Sequence, residues 1–171
     1  FSKQCNFFFR NCGRALLTRS KGLGTGATSY QQSIRVETVE DMTIRDVEIQ
    51  NSNTNSGSYA LYVLSTGKFT ADNVDLAAYD NALTIQTVDE FKFSGGRLIS
   101  TNARPISSTV NPTNLFLQGN FIGGALAPSW AGGSPPVTAQ ISGNIGVTVV
   151  SAVNGLSFDA YTSAGAWLGK F

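Results

Sequence analysis

The sequence contains no histidine. That absence removes histidine zinc sites, Ser-His-Asp triads and imidazole general bases from the chemistry within reach. Charge is also sparse: charged residues make up 13% of the 171, about half the usual share for a globular domain, and the net charge is +1. No run of Lys or Arg occurs, so the electrostatic footprint of a nucleic-acid binder is missing. No apolar stretch reaches the roughly 18 residues that span a membrane, and no signal peptide is visible, so no membrane insertion is expected. Cysteine is limited to Cys5 and Cys12. Two are too few for a disulfide framework or a metal cluster; they read as buried thiols, or as a pair bridging adjacent turns.

What is present is a 42% hydrophobic chain with 18 Gly, whose surface must be covered mainly by Ser, Thr, Asn and Gln. No long 3.6-residue period occurs, which excludes a helical bundle. Instead, short apolar-x-apolar triplets recur at three stations. The first holds Ile34/Val36, Leu61/Val63, Leu83/Ile85, a weaker Ile106/Ser108, and Leu156/Phe158. The second holds Met42/Ile44, Phe69/Ala71, Phe91/Phe93, Leu115/Leu117 and Ala139/Ile141, stepping by 27, 22, 24 and 24 residues. The third holds Val47/Ile49, Val74/Leu76 and Gly96/Leu98, then Phe121/Ile122 and Ile145/Val147 with a one-residue slip. Phe7/Phe9 is assigned to the third station, because Asn6–Leu16 aligns without a gap on Asn73–Leu83. A second internal match sets Leu115–Phe121 beside Ala139–Ile145.

Each triplet reads as a short strand with one face inward. The turns between them carry Asp, Asn, Gly and Ser, which tolerate left-handed backbone. No repeat can bury its apolar face alone. Stacking at about 4.8 Å gives one continuous core and pairs each strand with the turns above and below. A propeller blade needs roughly 40 residues per repeat, and a sandwich would not keep phase. The expected fold is therefore all-β, a right-handed parallel β-helix of about six rungs of roughly 22–27 residues. Residues 1–122 form its rungs, and 123–171 supply a Gly/Pro loop, the last rungs and a cap or subunit contact.

The pattern Phe69-Thr-Ala-Asp-Asn-Val-Asp-Leu76 followed by Asp80-Asn-Ala-Leu-Thr-Ile85 resembles the rungs of the pectin-lyase-like β-helix superfamily. That superfamily includes pectate lyases, polygalacturonases and the trimeric tail spikes of bacteriophages. The resemblance extends over nearly all of residues 5–160 and speaks to fold far more than to function. A tail spike implies a homotrimer in the virion tail that contacts host polysaccharide or lipopolysaccharide; a secreted location is the alternative. The chain begins in mid-repeat, so further β-helix N-terminal to Phe1 is expected. No Asn-x-Ser/Thr sequon occurs, since Pro112 disqualifies Asn111-Pro-Thr113; a bacterial or viral source fits this better than a eukaryotic secreted one.

Equivalent outward positions stack on adjacent rungs. This places Glu48, Asp75 and Arg97 in one column, and Arg45, Asp72 and Ser94 in its neighbour. Two carboxyls about 5 Å apart suit a retaining glycosidase, and about 6.5–9.5 Å an inverting one. Glu48, Asp72 and Asp75 are thus the catalytic candidates, with Arg45 and Arg97 as substrate-binding candidates beside them, set against a solvated charge ladder that the same two arginines neutralise. Three Asp residues coordinate calcium in the lyase branch, but no dense acidic cluster supports a metal here, and no cofactor is expected.

Tyr62, Phe8 and Phe116 each sit between inward apolar neighbours and should point outward. Such rings either stack on sugars or form a subunit interface; Phe8 and Phe116 are assigned to the interface, and Tyr62 is left between the two. Trp130 lies in the Gly/Pro-rich segment 123–136, where it stacks on a sugar, packs on a neighbouring subunit or caps the core. Residues 18–33, with Lys21-Gly-Leu-Gly-Thr-Gly26, lack the strand, helix and closing Lys-Ser/Thr of a phosphate loop and read as a flexible loop. Asn51–Ser58 lengthens one turn and is expected to protrude. After Arg104 the only charged residues are Asp159 and Lys170, a composition suited to a sugar-binding tip or to burial between subunits. The two functions left standing are an adhesive appendage segment and a polysaccharide-degrading lyase or hydrolase. A bacterial surface adhesin is a weaker third.

Overall fold

The computed structural model describes residues 5–24 and 32–146, with two short strands at 159–161 and 167–170. The chain coils as a right-handed parallel β-helix of about five turns. Three long strands open it: β1 (Phe7–Gly24), β2 (Gln32–Asn51) and β3 (Tyr59–Ala78). Shorter ones continue it as β4 (Leu83–Ser94), β5 (Arg97–Ser100), β6 (Ile106–Ser108), β7 (Asn114–Gln118), β8 (Phe121–Gly124) and β9 (Gln140–Ser142). Outside the coil, β10 (Asp159–Tyr161) pairs antiparallel with β11 (Trp167–Lys170). Every pairing within the coil is parallel.

The second station is the spine. Leu17, Ile44, Ala71, Phe93, Leu117 and Ile141 lie one above another, at steps of 27, 27, 22, 24 and 24 residues. Next to them Met42, Phe69, Phe91 and Leu115 stack fully buried. The Phe69 and Phe91 rings lie parallel with centroids 4.9 Å apart. The end layers are less covered: Phe7, Phe9, Cys12 and Ala15 on the first rung, and Ala139 and Ile141 on the last, pack on the core but stay half-buried. The fifth expected first-station pair, Leu156/Phe158, lies outside the described residues.

Four sequence assignments change. Phe7 and Phe9 belong to the first station, paired with Ile34 and Val36; alternation alone cannot tell one station from another, and the gapless match to Asn73–Leu83 was a match of pattern only. The expected loop at 18–33 is strand as far as Gly24, with Ser20 over Val47 and Gly22 over Ile49. Small residues hid it. A Cβ on Gly22 would lie 2.6 Å from Ile49 Cδ1, so the space of an apolar side chain is filled from the rung below. The third correction concerns the slip at the third station. Register runs unbroken from Arg97 to Phe121 and from Leu98 to Ile122, so the inward residues are Asn120 and Ile122, while Phe121 points out.

Fourth, the three placements left open for Trp130 narrow to the core one, in place of sugar binding: the residue is 8% exposed and belongs to the core cluster. Ser129 bridges Ser107 in parallel, which returns the chain to the first station and carries Trp130 inward below Ser108. The turn after Asn51 also folds back: Asn53 is buried and accepts from the Asn55 N–H at 2.9 Å, and Asp80 accepts from the Gly57 N–H at 2.7 Å.

Candidate functional site: a charged column beside a left-handed corner

Between the second and third stations the chain turns on one residue per rung. Arg19, Asp46 and Asn73 hold positive φ of 49–54°, and Gly95, Gly119 and Gly143 follow at 63–66°. Left-handed backbone is costly for most side chains, is eased by Asn and Asp, and is free for Gly. Asn73 Nδ2 also donates to Asp46 Oδ1 at 2.7 Å, tying two corners together. The sharp corner aims the residue before it and the second residue after it outward. Repeated on each rung, it produces two continuous columns.

The column beyond the corner runs Lys21, Glu48, Asp75, Arg97, Phe121 and Ile145. The column before it runs Thr18, Arg45, Asp72, Ser94, Gln118 and Ser142. The two columns expected from the sequence are therefore real and adjacent, and they bring together Glu48, Asp72, Asp75, Arg45 and Arg97.

In the first column two central carboxylates lie between two outer cations. Lys21 Nζ is 2.5 Å from Glu48 Oε2, and Arg97 Nη1 is 3.6 Å from Asp75 Oδ2. The hydrogen bond and charge of Glu48 raise the Lys21 pKa, so the ammonium stays charged. Across the corner Arg45 Nε is 3.6 Å from Asp72 Oδ2, and Ser94 Oγ donates to Asp72 Oδ1 at 3.3 Å. An open cleft of about 390 Å³ is lined by Arg19, Lys21, Asp46, Glu48, Asn73 and Asp75, and a shallower hollow of about 50 Å³ continues past Asp75 to Arg97. A general acid needs a desolvated carboxyl. The Glu48 and Asp75 side chains are 39% and 43% exposed and each is ion-paired, an arrangement that offers hydrogen bonds to a polar ligand more readily than protons to a leaving group.

Tyr62 and Phe8 lie elsewhere, on the first-station face. There Phe8, Arg35 and Tyr62 stack on successive rungs, with the Arg35 guanidinium carbon 5.9 Å from the Phe8 centroid and 5.2 Å from that of Tyr62. Tyr59 stacks beside Tyr62 at 5.8 Å. Burial, ahead of the opposing effect of Arg35, raises the Tyr62 pKa and keeps the phenol neutral. Arg35 also pairs with Glu37 through Nε and Nη2 and donates from Nη1 to Gln32 Oε1 at 2.6 Å. Much of the Tyr62 surface thus serves the fold, whereas Phe8 stays 51% exposed. Arg35→Met should lower unfolding stability by about 1–2 kcal/mol, through loss of the cation–π contacts and of charge pairing to a nearly buried carboxylate; an unchanged urea midpoint would show that the stack carries no energy.

On this face the structure moves Phe121 and Ile145 from the expected inward positions to outward ones. Phe121 is 43% exposed and Ile145 is 56% exposed. The signal was the Gly-Asn-Phe and Gly-Asn-Ile match at 119–121 and 143–145, which sets Asn120 and Asn144, not Phe121 and Ile145, beneath the inward Val74. Phe116 is half-buried on the second-station face over Lys92. Among the described residues no group of three or more Cys, Asp or Glu is arranged to hold a metal ion, and no helix is long and apolar enough to cross a membrane. Comparisons with protein-family models, curated proteins and solved structures found no match.

Proposed function

We propose that this chain is a polysaccharide-binding segment of a β-helical appendage, of the tail-spike kind within the pectin-lyase-like superfamily, which grips host surface glycan through the columns flanking the left-handed corner. The observation that carries the reading is the open cleft and its adjoining hollow, where the acceptors Glu48 and Asp75 stand at one-rung spacing between the donors Lys21 and Arg97. Sugars present closely spaced hydroxyls, and carboxylate–cation pairs on a rigid sheet match such groups without large ordering costs. Arg45 and Asp72 extend the polar surface across the corner. A homotrimer belongs to the same proposal, with Phe8 and Phe116 at the subunit contacts and the virion tail as location.

Degradation of the glycan is the second reading, with Glu48, Asp72 and Asp75 as the acids; their exposure and ion pairing make it the weaker one. The test uses an array of oligosaccharides released from bacterial O-antigens and capsules. The parent protein should bind a subset, and Glu48→Gln with Asp75→Asn should weaken that binding by about tenfold without any reducing ends appearing for either protein. Binding untouched by both substitutions would move the site off this face. Reducing ends produced by the parent and lost in the variants would establish the enzymatic reading. A monomeric mass in light scattering would remove the trimer.

A further inference from the structure

The charged column does not end at Arg97. One rung below it stands Phe121, and one rung further Ile145, at 43% and 56% exposure. The corner beside them changes in step. Arg19, Asp46 and Asn73 give way to Gly95, Gly119 and Gly143, all still in left-handed backbone. A Cβ on Gly119 would meet nothing within 4 Å, so open space lies over bare main chain at this level. Across that corner the other column offers Gln118 and Ser142, both exposed. The lower third-station face is thus a strip with an aromatic ring and an isoleucine on one side, hydroxyl and amide groups on the other, and glycine backbone between.

The Phe121 ring is held by more glycine. A Cβ on Gly146 would come within 2.7–3.1 Å of three ring carbons, and one on Gly123 within 3.4 Å of another. The ring therefore rests against the Gly146 backbone, where a side chain would displace it. Between Arg104 and the end of the described coil, residues 105–146 carry no charged side chain.

We infer that Phe121, Ile145, Gln118 and Ser142 form a subsite for an uncharged pyranose, with Phe121 stacking on the apolar face of the sugar ring, and that the glycan runs along the coil axis from the charged cleft onto this strip. This deepens the function proposed above and rests on it. The rung spacing of about 4.8 Å is close to the length of one pyranose unit, so successive sugars meet successive rungs. Aromatic rings offer a large rigid apolar face that retains water poorly, while flanking polar groups fix the orientation of a ligand. A second protein copy fits less well. A stable interface needs about 800 Å² from each partner, and two side chains supply far less, since even a whole aromatic residue buries only about 150–250 Å².

The experiment is the same oligosaccharide array, read with the full chain for Phe121→Leu, Phe121→Trp and the Glu48→Gln/Asp75→Asn pair, alongside the solution mass of each. Phe121→Leu should weaken binding by about tenfold while Phe121→Trp retains it, with the loss unchanged by added salt because no charge is involved. The glycans affected should be those carrying a neutral hexose next to the sugar held by the cleft. Full binding by Phe121→Leu, with binding lost in the carboxylate variants, overturns the subsite and leaves the cleft reading standing. A changed oligomeric mass in Phe121→Leu with glycan binding intact overturns it in favour of a subunit contact. No binding by the parent to any glycan removes both readings together.

Discussion

Asn120→Ala should cost about 2–4 kcal/mol of stability, an unusually large effect for a polar residue. Asn120 is 1% exposed. Its Oδ1 accepts from the Gly96 N–H at 3.0 Å and its Nδ2 donates to the Phe93 carbonyl at 2.9 Å. One rung below, Asn144 repeats the arrangement, accepting from the Asn120 N–H at 2.9 Å and donating to the Leu117 carbonyl at 2.9 Å. These amides satisfy main-chain groups where the coil turns away from its own sheet, and alanine would orphan a donor and an acceptor at a buried position. Asn120→Asp separates the two roles. The carboxylate still accepts from Gly96 but confronts the Phe93 carbonyl with a second acceptor, so the variant should be weaker than Asn120→Ala at neutral pH. Protonation restores a donor, which raises the folded-state pKa of the new carboxyl above about 3.9, its value in the unfolded chain. Relative to the parent, Asn120→Asp should therefore be least destabilised below that value, and should lose stability as pH rises through the folded pKa. Chemical denaturation at several pH values checks both variants; equal midpoints for parent and Asn120→Ala would mean that the amide ladder contributes nothing.

Phe91→Ala should be more damaging still, by about 3–5 kcal/mol. The ring is fully buried, stacked on Phe69 and enclosed by Leu115 below. In a solenoid each repeat touches only its neighbours, so a void in a middle rung weakens the coupling between the two ends as well as the rung itself. A single cooperative unfolding transition in the parent should shift strongly downward and broaden, whereas Phe91→Leu, which refills most of the volume, should recover much of the loss. A sharp, unshifted transition for Phe91→Ala would contradict the packing described above.

The coil itself was legible because its signal is redundant. Met42/Ile44, Phe69/Ala71 and Phe91/Phe93 repeat one alternating triplet, and stacked strands of one kind leave few other ways to bury it. The same redundancy made the outward columns readable, since Glu48, Asp75 and Arg97 follow from register once the triplets are aligned. Redundancy failed at the edges of the pattern. Phe7/Phe9 alternates like any station, so only its pairing with Ile34 and Val36 decides where it belongs. Ser20 and Gly22 look like loop because neither carries an apolar side chain, and the inward space at Gly22 is filled by Ile49 from the next rung.

The asparagine step was illegible for a different reason. Polarity normally marks the outside, yet Asn120 and Asn144 are inside because unpaired backbone groups at the turn need them more than the core needs two further aliphatic residues. Their inward placement is what sends Phe121 and Ile145 outward. By itself, then, the amino-acid order determined a parallel coil, its period and the stacking of like positions, all consequences of alternation repeated every 22 to 27 residues. Only the tertiary structure decided which side of the strand faces water at each rung. That choice is made by hydrogen bonds and space supplied from the rungs above and below, and no single repeat contains them.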